Sequence, residues 1–196
     1  GDHRLVKFSR KPAPVQVLSG GNFCTSGLDV MDYILSDATE TPKGEEHWFS
    51  EKTVRMPNGW ICYEPPDYAP DVNPLPALKN GYVTFGCCNS MAKINDQVIR
   101  LWADILKEIP DSRLSLRTNT LDHKATAQRI HARFRKFGIA PERVALAGEA
   151  PHEAFLAHYH EIDIALDPFP YTGGLTTCEA LWMGVPVITL AGETFI

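Results

Sequence analysis

The chain has 196 residues, 44% of them hydrophobic and 22% charged, and a formal net charge of −5 at pH 7. These values are typical of a soluble globular protein with room for one ordinary domain or two small lobes. The negative charge argues against a nucleic-acid-binding protein, because phosphate contacts need a basic face. No apolar run reaches the roughly 18 residues that would span a bilayer, so no membrane partner is expected.

The cysteines and the two termini indicate the context of the protein. The five cysteines are an odd number, and without a CxxC pair they support neither a zinc knuckle nor a redox motif. Reduced thiols in a cytoplasmic protein are the simplest interpretation. The N-terminal residues lack the hydrophobic core of a signal peptide, and the last residues follow directly on a strand-like run. We therefore expect a fragment of a longer protein.

The first third of the chain predicts a small lobe and a linker. Short apolar runs at residues 15–18 and 33–35 predict buried strands between loops rich in glycine, serine and threonine. Residues 63–76 then contain five prolines and several acidic side chains. That composition favours a semi-rigid linker and a lobe boundary.

From residue 80 onward, strand and helix signals alternate. Strands are predicted at residues 83–86, 114–116, 144–147, 162–166 and 187–190. Helices are predicted to begin at Asn95, about Asp122, Pro151 and Thr176. The first of them repeats apolar residues at helical spacing, namely Val98, Leu101, Trp102, Ile105 and Ile109. This alternation predicts an α/β fold with a doubly wound parallel sheet.

Ligands of such sheets bind beyond the carboxyl ends of the strands. Three strand-to-helix junctions are therefore candidates: GCCNSMAK at residues 86–93, GEAPH at 148–152 and PFPYTGGLTT at 168–177.

The third junction carries the most chemistry. Gly173 and Gly174 would let the backbone approach a ligand closely. Thr176 and Thr177 add hydroxyl donors at a helix start, where free amides and the helix dipole favour an anion. Glu179 lies about one turn further on, within reach of a sugar hydroxyl. A glycine-rich turn with a threonine cap explains the same residues equally well, and neither a P-loop nor GxGxxG is present.

The other charged residues leave alternatives open. Lys93 could offset the negative charge on a leaving phosphate or could be a solvated surface lysine. His152 and His158 are six residues apart, which does not fit a helical metal pair; partly exposed histidines beside a planar ligand and plain surface histidines are the better interpretations. Asp167 ends a predicted strand, where a functional role and a turn-forming role are equally plausible. No DxD pattern is present to hold a divalent metal, so phosphate charge would be balanced by amides, hydroxyls and lysine.

Together these residues resemble the O-linked N-acetylglucosamine transferases and their bacterial and plant relatives, including the SPINDLY-type enzymes. The matching stretches are RKPAPVQV (10–17), TSGLDVMDYILSD (25–37), SEKTVRMPN (50–58), FGCCNSMAKI (85–94) and the run at 150–193. The resemblance implies a GT-B architecture of two Rossmann-like lobes, the first incomplete. Residues 1–62 would be the C-terminal part of the N-terminal catalytic lobe, 63–79 the linker, and 80–196 the nucleotide-sugar-binding lobe, truncated at its C-terminus.

The resemblance also implies an activity. Such enzymes transfer N-acetylglucosamine from UDP-GlcNAc to serine and threonine hydroxyls of intracellular proteins, with inversion and without a metal or other cofactor. Their tetratricopeptide (TPR) repeats, which recruit the acceptor protein, would precede this chain. We therefore expect the chain alone to be inactive, and its catalytic base and oligomeric state stay open.

Several residues take roles from the resemblance by position. Lys93 matches the lysine that contacts the donor pyrophosphate, and Asn89 and Ser90 match neighbouring positions that contact the donor. Ala150 matches the position whose backbone contacts uracil, and His152 and His158 fall near that base. The phosphate cradle is matched by Gly174, Leu175, Thr176 and Thr177, and the residue that holds the ribose by Glu179.

The cradle departs from the animal enzymes, which have His-Thr-Thr where this chain has Gly174, Leu175 and Thr176. Two side-chain donors are thereby lost, as in the bacterial and SPINDLY-type branch, whose SPINDLY members use GDP-fucose. GDP-fucose or UDP-glucose is therefore an alternative donor. A non-catalytic nucleotide-binding scaffold is a third hypothesis, and the retained Lys93 and Glu179 argue against it.

Overall fold

The computed structural model describes residues 5–19 and 24–192. The chain divides into two compact units, with Tyr63 ending the first main segment and Glu64–Ala191 forming the second unit. In the part of the chain that the structure describes, no helix combines the length and apolarity needed to cross a membrane.

The first unit contains a parallel three-stranded sheet in the order β1-β2-β3. Its elements are α1 (Leu5–Phe8), β1 (Val17–Leu18), β2 (Tyr33–Ser36), a 3-10 turn (Glu46–Trp48) and β3 (Lys52–Arg55). Leu18, Met31 and Ile34 form its small core.

The first predicted strand is present but is buried on one side only. Val15 and Val17 are exposed, whereas Gln16 and Leu18 are buried, because successive side chains of a strand point to opposite faces. The prediction of a buried strand over residues 15–18 was therefore wrong for the two valines.

The second unit is built on a five-stranded parallel sheet in the order β6-β5-β4-β7-β8. Its elements are α2 (Pro76–Asn80), β4 (Thr84–Cys87), α3 (Asp96–Glu108), β5 (Arg113–Arg117), α4 (Lys124–Lys136), β6 (Val144–Ala147), α5 (His152–Ala157), β7 (Ile164–Leu166), α6 (Leu175–Trp182) and β8 (Val187–Ile188). In the register of the central strand, Phe85 lies between Leu114 of β5 and Ile164 of β7.

Helix α3 begins where the sequence predicts, because the Asn95 side chain accepts hydrogen bonds from the amides of Gln97 and Val98. Its buried face consists of Val98, Ile99, Trp102, Ala103 and Leu106. Leu101 and Ile109, predicted to lie on this face, are instead 43% and 42% exposed. Leu101 lies outside the buried face of the helix, and Ile109 follows Glu108, the last helical residue.

The predicted linker is attached to the second unit. Its residues 64–75 have no regular secondary structure, yet Asn73 donates to the His160 carbonyl (3.0 Å) and the His160 ring bonds the Asp71 carbonyl (2.9 Å). Helix α2 follows, and the buried Asp163 carboxylate accepts from the amides of both Ala77 and Thr84 at 2.8 Å. Asp163 therefore joins this segment to the central strand.

Gly86 in β4 gives a test of the packing between the sheet and the residues before β7. A Cβ at this position would lie 2.3 Å from Cδ1 and 2.6 Å from Cγ1 of Ile162. We expect Gly86→Ala to lower the free energy of unfolding by about 1–3 kcal/mol, and Ile162→Ala to lower it by about 2–5 kcal/mol. The double variant should lose less than the sum, since the smaller side chain removes the clash. Urea unfolding of the four proteins measures this coupling, and additive losses would contradict the packing described.

Candidate functional site

The strand order reverses between β4 and β7, because the chain extends the sheet first to one side of β4 and then to the other. In open parallel sheets, the crevice at the carboxyl ends of two such strands is the usual ligand site. A pocket lies there, lined by Cys87, Cys88, Asn89, Tyr159, Ala165, Leu166, Asp167, Thr176, Thr177, Ala180 and Val187. The first and third junctions predicted from the sequence therefore meet at one place.

Lys93 crosses this crevice. It ends the short 3-10 turn Met91–Lys93 that follows β4, and its Nζ donates to the Thr172 carbonyl (2.6 Å) and to Asn89 Oδ1 (3.2 Å). The same ammonium lies 4.5 Å from the centre of the Tyr171 ring, within the range of a cation–π contact. Lys93 is partly buried among these partners, so it is not a freely solvated lysine.

The first turn of α6 is fixed from two directions. Thr176 Oγ1 donates to Asn89 Oδ1 (3.2 Å), and the Tyr159 hydroxyl donates to the Thr176 carbonyl (3.0 Å). Helix α6 begins at Leu175, with Gly174 at its N-cap. The Thr177 amide bonds the Gly174 carbonyl within this first turn (3.0 Å). Asn89 Oδ1 accepts from both Thr176 and Lys93, so the start of α6 lies next to Lys93.

Asp167 holds the loop between β7 and α6. Its carboxylate accepts from the Gly173 amide (2.7 Å) and from the Thr189 hydroxyl (3.0 Å). Burial raises the pKa of this carboxyl, while the two donors and the charge of Lys93 act in the opposite direction. Burial lowers the pKa of the Lys93 ammonium, and the Asp167 charge opposes that shift. The two opposite charges therefore support each other at the edge of the pocket.

Gly173 is required by the protein's own packing. A Cβ there would lie 2.5 Å from Thr177 Oγ1 and 2.9 Å from Asp167 Oδ1. The Cβ position of Gly173 is therefore taken by the protein's own side chains, and close approach of a ligand to the Gly173 backbone stays a prediction. Leu175 next to the helix start is 62% exposed.

The second junction is fixed by Asp122. Its carboxylate accepts from the Glu149 amide (3.0 Å), and a Cβ on Gly148 would overlap it. This contact sets the path of the backbone at Ala150, which is partly exposed. Arg117, at the end of β5, donates to the Gly148 carbonyl (3.3 Å), and its buried Nε has no hydrogen-bond partner.

His152 and Glu179 form a pair about one helical turn after Thr176 on α6. His152 Nε2 lies 2.9 Å from Glu179 Oε1, and its Nδ1 lies 2.9 Å from the Tyr68 hydroxyl. The Glu179 side chain is only 4% exposed, whereas that of His152 is 42% exposed. The carboxylate predicted to face a sugar is thus held in place by a histidine from α5.

The comparison with known proteins decides the family. The model of the family described as "Glycosyl transferase family 41" matches residues 3–65 and 75–196 of the chain.

The chain belongs to glycosyl transferase family 41.

Curated plant proteins of this kind are similar over almost the whole chain. The probable UDP-N-acetylglucosamine–peptide N-acetylglucosaminyltransferase SPINDLY of Solanum lycopersicum is 40% identical over 194 residues, covering 98% of this chain and 21% of that protein. The corresponding protein named SEC of Arabidopsis thaliana is 30% identical over 201 residues, covering 95% and 20%. The chain thus spans about a fifth of the length of the curated relatives it matches.

Solved structures agree on the architecture. A lysine-to-methionine mutant of the Thermobaculum terrenum O-GlcNAc transferase superposes with a TM-score of 0.89 at 39% identity, covering 97% of this chain and 36% of that one. A sucrose-phosphate synthase from Thermosynechococcus elongatus shares the fold at a TM-score of 0.57 and 16% identity, covering 80% and 40%. The predicted α/β fold of GT-B type with parallel sheets is therefore confirmed.

Within this family 41 chain, five of the predicted site residues fall into two hydrogen-bonded groups. Asn89, Lys93 and Thr176 form one, and His152 with Glu179 forms the other. Ser90 is exposed and caps the turn before Lys93, accepting from the Ala92 amide at 3.4 Å.

His158 differs from its prediction. It is 5% exposed, and its Nε2 lies 3.1 Å from the Ser115 hydroxyl. Burial, and next the charge of Arg117, lower the pKa of His158 to about 4, so the ring is neutral at pH 7. The prediction of a partly exposed histidine was wrong here, because the His158 ring faces Ser115 of β5 and is buried there.

Sequence reasoning missed Arg117 and Tyr68 and left Asp167 undecided. The signal that could have marked Asp167 and Arg117 as site residues is their position at the end of a strand. Tyr68 had none, because its partner His152 is 84 residues away. Across residues 5–19 and 24–192, no group of three or more histidine, cysteine, aspartate or glutamate side chains is arranged to hold a metal ion.

Asn95 allows a test of what holds the loop before α6. Its Oδ1 caps α3, while its Nδ2 donates to the Phe169 carbonyl at 2.8 Å. Asn95→Asp keeps the cap but places a second acceptor against that carbonyl. We expect amide exchange across residues 168–174 to rise roughly 2- to 12-fold, as follows from the loss of one hydrogen bond.

Hydrogen–deuterium exchange with mass spectrometry measures this change. Asn95→Ala is the matched control, since it loses both contacts and should in addition lower the free energy of unfolding by about 1 kcal/mol. Unchanged exchange of residues 168–174 in both variants would show that another contact holds the loop.

Proposed function

We propose that this chain forms the nucleotide-sugar-binding part of a protein O-glycosyltransferase. The enzyme would move N-acetylglucosamine from UDP-GlcNAc to serine and threonine hydroxyls, with inversion and without a metal ion. The observation that carries the proposal is the ammonium of Lys93 beside the N-terminus of α6, at the reversal point of the parallel sheet.

This arrangement suits the departure of a nucleoside diphosphate. When the bond between sugar and phosphate breaks, negative charge grows on the phosphate oxygens. The Lys93 ammonium, the α6 amides and the helix dipole would all stabilise that charge. Because Asn89 and Thr172 hold Lys93 in place, little reorganisation is needed at the moment of reaction.

The remaining residues would recognise the nucleoside. The buried Glu179 carboxylate can only accept hydrogen bonds when ionised, which suits the two hydroxyls of a ribose. Ala150 lies on the turn held by Asp122, where its backbone could contact the base. His152 lies between these two positions in the chain and bonds Glu179.

The names of relatives support the donor and the acceptor. The SPINDLY and SEC relatives are named as UDP-N-acetylglucosamine–peptide transferases, and the similar solved structure is titled an O-GlcNAc transferase. In the longer protein, we propose that upstream TPR repeats recruit a cytoplasmic acceptor protein and that the rest of the first lobe supplies the catalytic base.

The cradle leaves one alternative donor to test. The exposed side chain of Leu175 offers no hydrogen-bond donor where animal enzymes have threonine. A GDP-sugar such as GDP-fucose is therefore the second candidate, and a non-catalytic scaffold the third.

Nucleotide binding separates these candidates. We expect UDP to raise the melting temperature of the full-length protein, because a ligand at 100 times its Kd stabilises the native state by about 2.7 kcal/mol. Differential scanning fluorimetry with UDP and GDP at matched concentrations measures the effect. Stabilisation by GDP alone would replace UDP with a GDP-sugar, and stabilisation by neither would favour the scaffold.

Lys93→Met tests the role of the ammonium. Transfer to an acceptor protein should fall on the order of 10²- to 10³-fold in kcat, the usual effect of removing a charge-stabilising donor. The Kd for UDP should rise by less than about 10-fold, since the helix amides still bind the phosphates. Radiolabelled-sugar transfer and calorimetry give the two values.

Lys136→Met, which removes an exposed lysine at the end of α4, is the control and should leave both values unchanged. Normal turnover in Lys93→Met would remove this lysine from the mechanism.

A further inference from the structure

Three side chains from distant parts of the sequence form a continuous hydrogen-bonded chain. The Tyr68 hydroxyl lies 2.9 Å from His152 Nδ1, and His152 Nε2 lies 2.9 Å from Glu179 Oε1. Tyr68 belongs to the irregular segment before α2, His152 begins α5, and Glu179 lies on α6. We call this set the Tyr68–His152–Glu179 chain.

The chain runs from solvent to the pocket wall. Tyr68 is about half exposed, the His152 side chain is less exposed, and that of Glu179 is buried. Glu179 shares its helix with Thr176, Thr177 and Ala180, all of which line the pocket. A buried carboxylate requires hydrogen-bonding partners, and His152 supplies one from outside the helix.

The two ring nitrogens of His152 need different kinds of partner. An ionised carboxylate only accepts hydrogen bonds, so His152 Nε2 must donate to Glu179. In a neutral imidazole, Nδ1 is then an acceptor, and the Tyr68 hydroxyl donates to it. In the charged form Nδ1 donates instead, and the same hydroxyl accepts. Tyr68 can therefore hold the ring in one orientation in both protonation states.

Aromatic packing supports the same orientation. The Tyr68 ring meets the His152 ring edge-on, with centroids 5.8 Å apart and planes at 88°. The Phe155 ring stacks nearly parallel to His152 at 6.1 Å and 20°. The imidazole is therefore restrained by two neighbouring rings as well as by its two nitrogens.

The segment that carries Tyr68 is itself fixed to this unit. Asn73 and Asp71 bond His160, and a Cβ on Gly184 would lie 2.6 Å from Val72. Tyr68 is thus presented to His152 by backbone that is attached a few residues further along.

We propose that Tyr68 and His152 are positioning residues for the donor nucleotide. They hold the Glu179 carboxylate in the orientation in which it accepts hydrogen bonds from the ribose hydroxyls. This inference rests on the proposed function, and it makes a segment that the sequence marks as a linker a determinant of nucleotide affinity.

Ribose-dependent affinity tests the inference. Calorimetry on the full-length protein would compare UDP with 2′,3′-dideoxy-UDP, which lacks both ribose hydroxyls. The wild type should prefer UDP by roughly 10- to 100-fold, as expected for hydrogen bonds to a charged acceptor. If the protein binds GDP instead, the corresponding pair of guanosine nucleotides serves equally, because the ribose is the same.

Three variants separate the contacts of His152. His152→Gln places an amide nitrogen near the position of Nε2 and should keep most of the preference for UDP. His152→Asn reaches only the position of Nδ1, so the preference should fall to about 3-fold or less. Tyr68→Phe keeps the ring and removes the hydroxyl, and the preference for UDP over dideoxy-UDP should fall by a factor of about 3 to 10.

A double variant tests whether Tyr68 acts through His152. In the His152→Asn background, Tyr68→Phe should add nothing further, because the link to Glu179 is already broken. In transfer assays the single variants should raise the KM for the donor more than they lower kcat. Affinity for dideoxy-UDP should stay within about 2-fold throughout, which a general structural defect would not produce.

The failures of this inference and of the proposed function are distinct. If the wild-type protein binds neither UDP nor GDP, the proposed function fails. If it binds one of them but does not discriminate the dideoxy nucleotide, or if His152→Asn and Tyr68→Phe leave that discrimination intact, the proposed function stands and the positioning role is wrong.

Discussion

The pairing of the central strand β4 with one parallel strand on each side determines the rest of the second unit. Strand β4 is hydrogen-bonded to β5 on one side and to β7 on the other. The loops that leave β4 and β7 therefore diverge above the same edge of the sheet and leave a crevice between them. The polar contacts of Lys93 and Asn89 span this crevice, and those of Asp167 fix the loop on its β7 side. Gly86 belongs to the same constraint, since the strand can pack against Ile162 only without a side chain.

The charged groups of the site are fixed before any ligand arrives. Lys93 is bonded to the loop that leaves β7, and Asp167 holds that loop from the other end. Lys93 and Asp167 are both partly buried, and burial disfavours the charged form of each: it lowers the pKa of Lys93 and raises that of Asp167. Their mutual attraction offsets part of that cost. Because Lys93 is bonded to the Thr172 carbonyl, its position depends on the loop between β7 and α6. Binding and loop order are consequently coupled in this unit.

The sequence predicts the fold well, and the two junctions that it marks meet at one pocket, because both follow from local signals. Alternating strands and helices, the Asn95 cap and glycines at helix ends are readable within a few residues of each other. Lys93 and Thr176 are predicted from their places at strand-to-helix junctions, and topology alone brings them together. Family resemblance supplies the roles of Asn89 and Glu179.

What escapes the sequence is contact between distant residues. The environment of His158 depends on Ser115, which bonds its ring, and on Arg117, whose charge lowers its pKa; both are far away in the chain, so periodicity cannot reveal it. The role of Gly173 is set by the side chain of Asp167, which no glycine pattern encodes. Leu101 illustrates a smaller limit, since an apolar residue at helical spacing is buried only if a neighbouring element covers that side. Tyr68 is the extreme case, because a proline-rich composition indicates a linker and says nothing of the surface on which it lies.

The adjacent cysteines at the end of β4 have a consequence for redox chemistry. Burial raises the pKa of the Cys87 and Cys88 thiols to about 12, so both are protonated at pH 7. Peroxides and electrophiles react with thiolates, not with thiols. Burial therefore protects the two sulfur atoms that line the pocket from oxidation by keeping them in the thiol form.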